Sequence, residues 1–440
     1  MTTLHATTAS YDQAITELFN RRPEIMVPGL RRIRALVHSM GEPQRAYAGI
    51  HLTGTNGKTS TARMITSLLL ATGERVGTYT SPHLQDVRER FRIDGDPLEV
   101  DDLLAGLDAL GPHIDRVEQA TGEMVTFFEA STALCLWAFA RARVDTGVIE
   151  VGMGGRFDAT NVVDAGVAVL GRVQLDHLQL GATVGEVAWE KAGVITDGAT
   201  VISANTGGPP AHVIAEEVAE RGARLHLLDR DFGVIARTLT PGGQRISLCG
   251  LGGTMFTVDL PLHGAHQAAN AACALAAVQA HTGRPLEPAV VRAGFAGVRS
   301  PGRLELLFTD GGIPVLLDGA HNPAAARVLA RSLRELHGDR RRIAVLGVMA
   351  DKDIAGIVDL LGAVIDEVVV TVPDSPRAAT VGQLADACRA AGLTVAAQVA
   401  DVGDAVRVAA RRAGRHGMVV VAGSLYTVGD ARAALGGAPA

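Results

Sequence analysis

Residues 47–73 constrain this chain more than any other stretch. An apolar run, Tyr47 to Thr53, enters "GTNGKTS", and residues 59–72 ("TSTARMITSLLLAT") then repeat apolar positions at helical spacing until Gly73. Strand, glycine loop and helix in that order are the context a phosphate loop requires, and a strand followed by a crossover helix favours a parallel sheet. The loop is short: only Thr55 and Asn56 separate Gly54 from Gly57-Lys58-Thr59, against the Gly, four residues, Gly-Lys-Ser/Thr of the common form. Both glycines permit positive φ and close approach of backbone to phosphate. Loop amides and the helix start supply an anion site, Lys58 can neutralise β/γ oxygens, and Thr59 offers a hydroxyl to a metal or phosphate. The competing reading is a structural turn, and the flanking strand and helix favour nucleotide binding.

The same alternation continues. Residues 11–40 carry helical spacing, strand candidates fall at 75–79, 146–151, 166–173 and 199–204, and a helix is expected over 126–143. Residues 232–260 change to short β-rich runs with Gly-Gly pairs at 242–243 and 252–253, expected as antiparallel hairpins appended to the sheet. After "SPGRLEL" the pattern restarts, with strand candidates at 314–318, 343–348, 367–372, 394–398 and 417–421. The expected architecture is α/β: a parallel-sheet, P-loop ATPase-like domain over 1–298 with its antiparallel addition, and a smaller Rossmann-like domain over 299–440. A chain of 440 residues is long for one core, which agrees with two.

Composition removes several function classes. A formal charge of −6 argues against a nucleic-acid partner. The most apolar helical candidate, Ala130 to Ala140, is bounded by Glu129 and Arg141 and falls well below the roughly 20 residues of a membrane span. The start, "MTTLHATTASYDQA", lacks the layout of a signal peptide. Cys135, Cys249, Cys273 and Cys388 are far apart and read as core thiols of a cytoplasmic protein. A monomer is expected.

Only three of the 41 basic residues are lysines: Lys58 in "GTNGKTS", Lys191 in "WEKAGVI" and Lys352 in "VMADKDI". Arginine does nearly every generic cationic task here, so each lysine is a candidate for a place where a compact ammonium or a reactive amine is wanted. The competing reading, chance survival on solvated faces, is weakened because all three fall inside unusual motifs.

Further motifs sit at predicted strand ends, where parallel α/β sheets bind ligands. "VIEVGMGGRFDATN" puts Glu150 at the end of an apolar strand, suited to a hard cation such as Mg²⁺. Gly152, Gly154 and Gly155 follow, then Arg156, Asp158 and Asn161. Asp176-His177 comes after another strand and precedes the helix carrying Lys191. "SPHL" brings Ser81 to the end of the strand after the loop helix, and Asn270 interrupts an alanine-rich helix. In the second half, Arg303, Asp318, His321 and Lys352 occupy "PGRLEL", "LLDGAHNPAA" and "GVMADKDI". Because these lie far from Lys58 in sequence, the economical reading is a cleft between domains that clamps ATP from both sides.

In this order, "GTNGKTS", "SPHL", "EVGMGGRFDATN", "EKAG", "PGRLE", "DGAHNP" and "ADKD" resemble the folylpolyglutamate synthases, including bacterial bifunctional dihydrofolate synthases, of the Mur ligase superfamily. The resemblance runs from about residue 11 to 430 and accounts for the short loop. It implies an ATP-dependent amide ligase that phosphorylates the terminal carboxylate of a reduced folate and lets L-glutamate attack the acyl phosphate, with dihydropteroate as a second acceptor to be tested. It further implies that Asn56, Gly57, Lys58 and Thr59 hold the triphosphate, that Ser81, Glu150 and His177 hold two Mg²⁺ ions, and that Asn270, Arg303 and Asp318 reach ATP from the domain junction. Lys191 resembles the lysine that this superfamily carries as a carbamate. Gly29, Leu30, Arg31 and Arg32, Thr126, Phe127, Phe128 and Glu129, and Phe157, Asp158 and Ala159 resemble pterin-site segments, while His321 and Lys352 fall on the glutamate side. Thr59 departs from the glycine many relatives have there. Two rival readings are a peptidoglycan-precursor ligase, disfavoured by "SPHL", and a non-enzymatic nucleotide switch, disfavoured by Glu150, His177 and Lys191.

Overall fold

The computed structural model describes residues 8–21, 29–175, 178–338 and 340–438. Its first sheet contains β1 (Ala48–Thr53), β2 (Val76–Tyr79), β3 (Phe91–Ile93), β4 (Asp96–Pro97), β5 (Thr146–Glu150), β6 (Val167–Leu170), β7 (Thr200–Ser203) and β8 (Arg224–Leu227). The order is β4-β3-β2-β5-β1-β6-β7-β8, parallel from β2 to β8, with β3 and β4 returning antiparallel at one edge. The near-continuous apolar character of β1, β5 and β6 has a plain cause: both sheet faces are covered. Ile50, Leu52, Ile65 and Leu69 pack on one face, and Tyr79, Phe91, Phe139 and Ile149 on the other.

Two expectations need adjusting. The β-rich stretch is not joined to the main sheet. β9 (Gly233–Thr240), β10 (Gly243–Cys249) and β11 (Met255–Leu260) form their own antiparallel sheet. Alternate residues of β11 are buried, and Phe256 and Val258 enter the same apolar cluster as Ala271 and Phe295 from two following helices. Burial against helices, and not pairing at an edge, anchors this sheet. The strand expected over 166–173 ends at Leu170, because Gly171 to Gln174 turn aside to bond the glycine loop.

The second sheet contains β12 (Glu305–Phe308), β13 (Pro314–Leu317), β14 (Arg342–Leu346), β15 (Glu367–Val370), β16 (Thr394–Gln398) and β17 (Met418–Ala422), in the order β12-β13-β17-β14-β15-β16. All but the antiparallel β12 run parallel. Helices cover both faces, giving one cluster around Leu316, Leu333 and Leu384 and another around Val315, Val345 and Ala409. Among the described residues, each apolar cluster belongs to one half of the chain or the other, and Leu84 is the residue of the first half that packs on the second.

Candidate active site

Four neighbouring strand ends build the first wall of the site. β1 runs into the glycine loop, and the helix Lys58–Thr72 starts at its end, with Gly57 as N-cap at φ 85°. A Cβ at Gly57 would meet the Asn270 side-chain amide at 2.9 Å, so only glycine lets helix Ala265–Thr282 close on the loop. Side chains tie the loop to its neighbours. Thr53 Oγ1 donates to Gly154 O (2.7 Å), Thr55 Oγ1 donates to Gln174 O (3.0 Å), and Asn270 Nδ2 donates to Gln267 Oε1 (3.1 Å).

Glu150, at the end of β5 and 1% exposed, lies between two of these strand ends. Its Oε1 accepts from the Thr59 hydroxyl (3.0 Å) and its Oε2 from the Ser81 amide (3.3 Å). Burial raises this carboxyl above the usual range, opposed by Lys58, by those two hydrogen bonds and by Arg303. Lys58 Nζ donates to Gly54 O (3.0 Å), and Lys191 Nζ, from helix Val184–Ala192, donates to the same oxygen (3.1 Å). Lys191 is buried, which a generic solvated lysine would not be. Asp176 and His177 lie outside the described residues. Among the described residues, no group of three or more His, Cys, Asp or Glu side chains converges as a metal cluster.

The second wall comes from the segment after residue 299 and the end of β13. Asp318 accepts from the amides of Leu304 (3.0 Å) and Ala320 (3.0 Å). Burial raises its carboxyl, and Arg303 opposes that shift. Arg303 packs over Gly319 and lines a narrow pocket with Thr59, Arg63, Thr80, Pro82, Leu84, Glu89, Pro301 and Leu425. The two halves therefore meet over Thr59. His321 Nδ1 hydrogen-bonds Gly319 O (2.8 Å), next to this wall. Asn322 caps the helix Pro323–His337 by accepting from the Ala325 amide (2.8 Å). Lys352 sits in the turn after β14, its amide donating to Met349 O (3.1 Å).

The three expected pterin segments are distributed unevenly. Arg31 pairs outward with Glu123, whereas the guanidinium of Arg32 spans Glu129 (3.1 and 3.0 Å) and Glu123 (2.7 Å). Gly29 and Leu30 lead into that helix, with Leu30 at its N-cap. Thr126 and Glu129 form a capping box at the start of helix Phe127–Ala142, so Glu129 has a local structural task. Phe127 stacks on Phe19 with centroids 5.0 Å apart, and Phe128 lies against Gly152, where any Cβ would meet its ring. Asp158 is buried and accepts from the Met153 amide (2.9 Å) and from Thr160 (3.0 and 2.6 Å), shaping the glycine loop beside buried Ala159. Phe157 is 43% exposed and faces Trp189 at 6.4 Å.

Sequence reading missed four contributors. Arg63, one turn beyond Thr59 on the same helix face, points into the cleft. Burial first, then Arg92 and Arg303, lower its guanidinium to about 10, while Glu89 and Glu150 act the other way. Its spacing from Thr59 was the available signal. Ser60 and Ser300 share a hydrogen bond (2.9 Å), and Gln267 Nε2 donates to Ser60 Oγ (3.1 Å), joining the loop helix to the start of the second half.

Comparison with known proteins gives a consistent result. Residues 52–278 match the Mur ligase middle domain and residues 302–425 the Mur ligase, glutamate ligase domain. A dihydrofolate synthase/folylpolyglutamate synthase of Mycobacterium tuberculosis is 42% identical over 455 residues, covering 96% of this chain and 93% of that protein. The crystal structure of Mycobacterium tuberculosis folylpolyglutamate synthase complexed with ADP and AMPPCP superposes with a TM-score of 0.92 at 39% identity, covering 98% of this chain and 100% of that one. A folylpolyglutamate synthase complex with AMPPCP and folate gives 0.84 at 32% identity, covering 96% and 98%. The chain belongs to the dihydrofolate synthase/folylpolyglutamate synthase family of Mur ligases.

Proposed function

We propose that this protein joins L-glutamate to the carboxylate end of a folate, with ATP activating that carboxylate as an acyl phosphate. The observation that carries this reading is the phosphate loop facing Arg303 of the second half across a narrow cleft. Related enzymes have been solved with ADP, with AMPPCP, and with AMPPCP and folate together.

A carboxylate does not react with an amine at neutral pH, so its oxygen must first be made a leaving group. The amides of Asn56 and Gly57 and the helix start at Lys58 and Thr59 receive the triphosphate. The Lys58 ammonium then leaves Gly54 O for the β/γ oxygens, and Arg303 brings a second positive charge from the opposite wall. Asp318 holds the backbone on either side of Arg303's approach, and Asn270 presses on the loop from below. Closing the halves excludes the water that would hydrolyse an acyl phosphate. His321 and Lys352 are assigned to the glutamate side, and the segments Gly29–Arg32, Thr126–Glu129 and Phe157–Ala159 to the pterin. Phe128 and Asp158 have the strongest claim within those segments, because they border the second glycine-rich loop at residues 152–155.

Glu150, with the Thr59 hydroxyl and Ser81 beside it and His177 added, would hold Mg²⁺, two ions by family analogy. A buried carboxylate among oxygen donors suits a hard cation, which would screen phosphate charge during transfer. Lys191 is assigned as a carbamate. Two ammonium groups on one carbonyl oxygen repel each other, and a carbamate on Lys191 would instead give Lys58 an anionic neighbour. We place the boundary of the two domains at 298/299 and assign the protein as a cytoplasmic monomer.

Phosphate release from ATP, measured with tetrahydrofolate or dihydropteroate and with or without L-glutamate, tests the reading. Turnover should require acceptor and glutamate together, and activity with dihydropteroate would establish the second acceptor. ATP hydrolysis indifferent to both would sink the proposal.

A further inference from the structure

The loop after β2 joins the two walls. Ser81, at its start, donates its amide to Glu150. Three residues on, Leu84 leaves the first half and packs against the core of the second sheet. The seat is shaped by two glycines. A Cβ at Gly302 would lie 3.4 Å from the Leu84 methyls, and one at Gly429 would lie 2.2 Å from Leu84 O, a clash. Gln85 adds a polar clasp: its Nε2 donates to Gly437 O (3.1 Å), and its Oε1 accepts from Arg432 (2.6 Å), whose Nε also bonds both Glu305 oxygens (3.1 Å each).

Glu89 makes this loop stiff. Its carboxylate, 2% exposed, accepts the amides of Leu84 (2.7 Å), Gln85 (3.0 Å) and Asp86 (3.0 Å). Three bonds from one buried carboxylate fix the turn that presents Leu84, so displacement of the tip must move the base as well. The base is Ser81, one bond from the carboxylate that holds Thr59.

We propose that Leu84 is a positioning residue for ligation: held by Glu89, it seats the second half over the phosphate loop and passes that seating to Glu150 through Ser81. The chemical step then runs only when Leu84 occupies the Gly302/Gly429 notch, whereas ADP, which lacks the γ-phosphate that the second wall reaches, binds the first half independently of it. The proposal rests on the ligase reading above.

The test compares Leu84→Ala, Leu84→Met and Gln85→Ala with wild type by steady-state kinetics, ADP calorimetry and small-angle scattering of the ADP complex. Leu84→Ala should lower kcat about tenfold or more, the scale expected when reacting groups are misplaced by an ångström or less. Its ADP affinity should stay within about twofold, and its ADP complex should be more extended than that of wild type. Leu84→Met should regain most of kcat. Should Leu84→Ala not fold, Gln85→Ala, which removes only the polar clasp, must show the same split in milder form. Unchanged kcat in the folded variants, or kcat and ADP affinity falling in parallel, overturns the proposal. A wild-type protein that binds ADP but ligates nothing would refute the ligase reading instead, and scattering would still judge the lever.

Discussion

Glu150 and Asp318 are both buried carboxylates at strand ends, one on each wall of the cleft, yet they are held by different groups. Asp318 is fixed by two backbone amides at 3.0 Å, neither of which can turn away. Glu150 is held by a rotatable hydroxyl and by one long amide contact at 3.3 Å. The first arrangement is scaffolding, which fixes the backbone around Arg303. The second is exchangeable, since Thr59 can rotate toward a ligand and leave Glu150 to an incoming cation. The first wall is therefore expected to govern turnover, and the second to govern capture of ATP.

The sharpest way to break that contrast is Lys58→Ala. Removing the compact charge from the first wall should lower kcat about 10³-fold, the upper range for loss of one charge-stabilising donor. The melting temperature should hardly change, because a half-buried loop ammonium contributes little packing. Equal losses of stability and activity would erase the distinction. Lys191→Ala should follow, about 10²-fold down by the same reasoning, with partial recovery in bicarbonate plus a short-chain carboxylate. Lys191→Arg should stay inactive, since a guanidinium cannot form a carbamate. A bare amine in the mass and density of the Mg·ATP complex would refute the carbamate.

On the second wall, Asp318→Ala should raise the KM for ATP about tenfold while kcat falls less, which is the pattern of lost binding. The variant should also lose about 1–3 kcal/mol of stability, because two amides lose their acceptor. Unchanged KM and turnover would remove Asp318 from the site.

The smallest effect compares two buried histidines. Burial lowers His51, in β1 beneath the loop, to about 3; burial, then Arg303 and Arg237, lowers His266 to about 4. Both folded values lie below the ordinary 6.5, so the unfolded chain takes up protons first. Their stabilising contribution is complete above pH 6.5 and is lost as pH falls toward 4 and then 3. His51→Asn should flatten the acid limb of urea unfolding by about 1 kcal/mol per pH unit between pH 6 and 4. An unchanged slope would mean that His51 is already protonated in the folded protein.

The strand, loop and helix around Lys58 were legible because periodicity and glycine placement are local. So was Glu150, which ends an apolar run, and so was "DGAHNP", where a strand end, a helix cap and a proline fall together. Leu84, Arg63 and the Ser60–Ser300 pair were not legible as parts of the site. Each is an ordinary residue on an ordinary element, and its meaning lies in a partner up to 240 positions away. Gln267 was hidden for the same reason inside a helix rich in alanine. The independence of the β9–β11 sheet was equally out of reach, since alternation reveals a buried face but not what buries it.

The separation of apolar clusters between the two sheets bears on how the molecule melts. With Leu84 as the apolar link between them among the described residues, the halves are expected to unfold as separate cooperative units. Calorimetry of the unliganded protein should resolve two overlapping endotherms. A nucleotide gripped by both walls would add binding energy to each half only while the other stays folded, drawing the endotherms together. Cooperativity in this chain is then supplied by its substrate, and the width of the melting curve becomes a label-free measure of how completely the cleft is occupied.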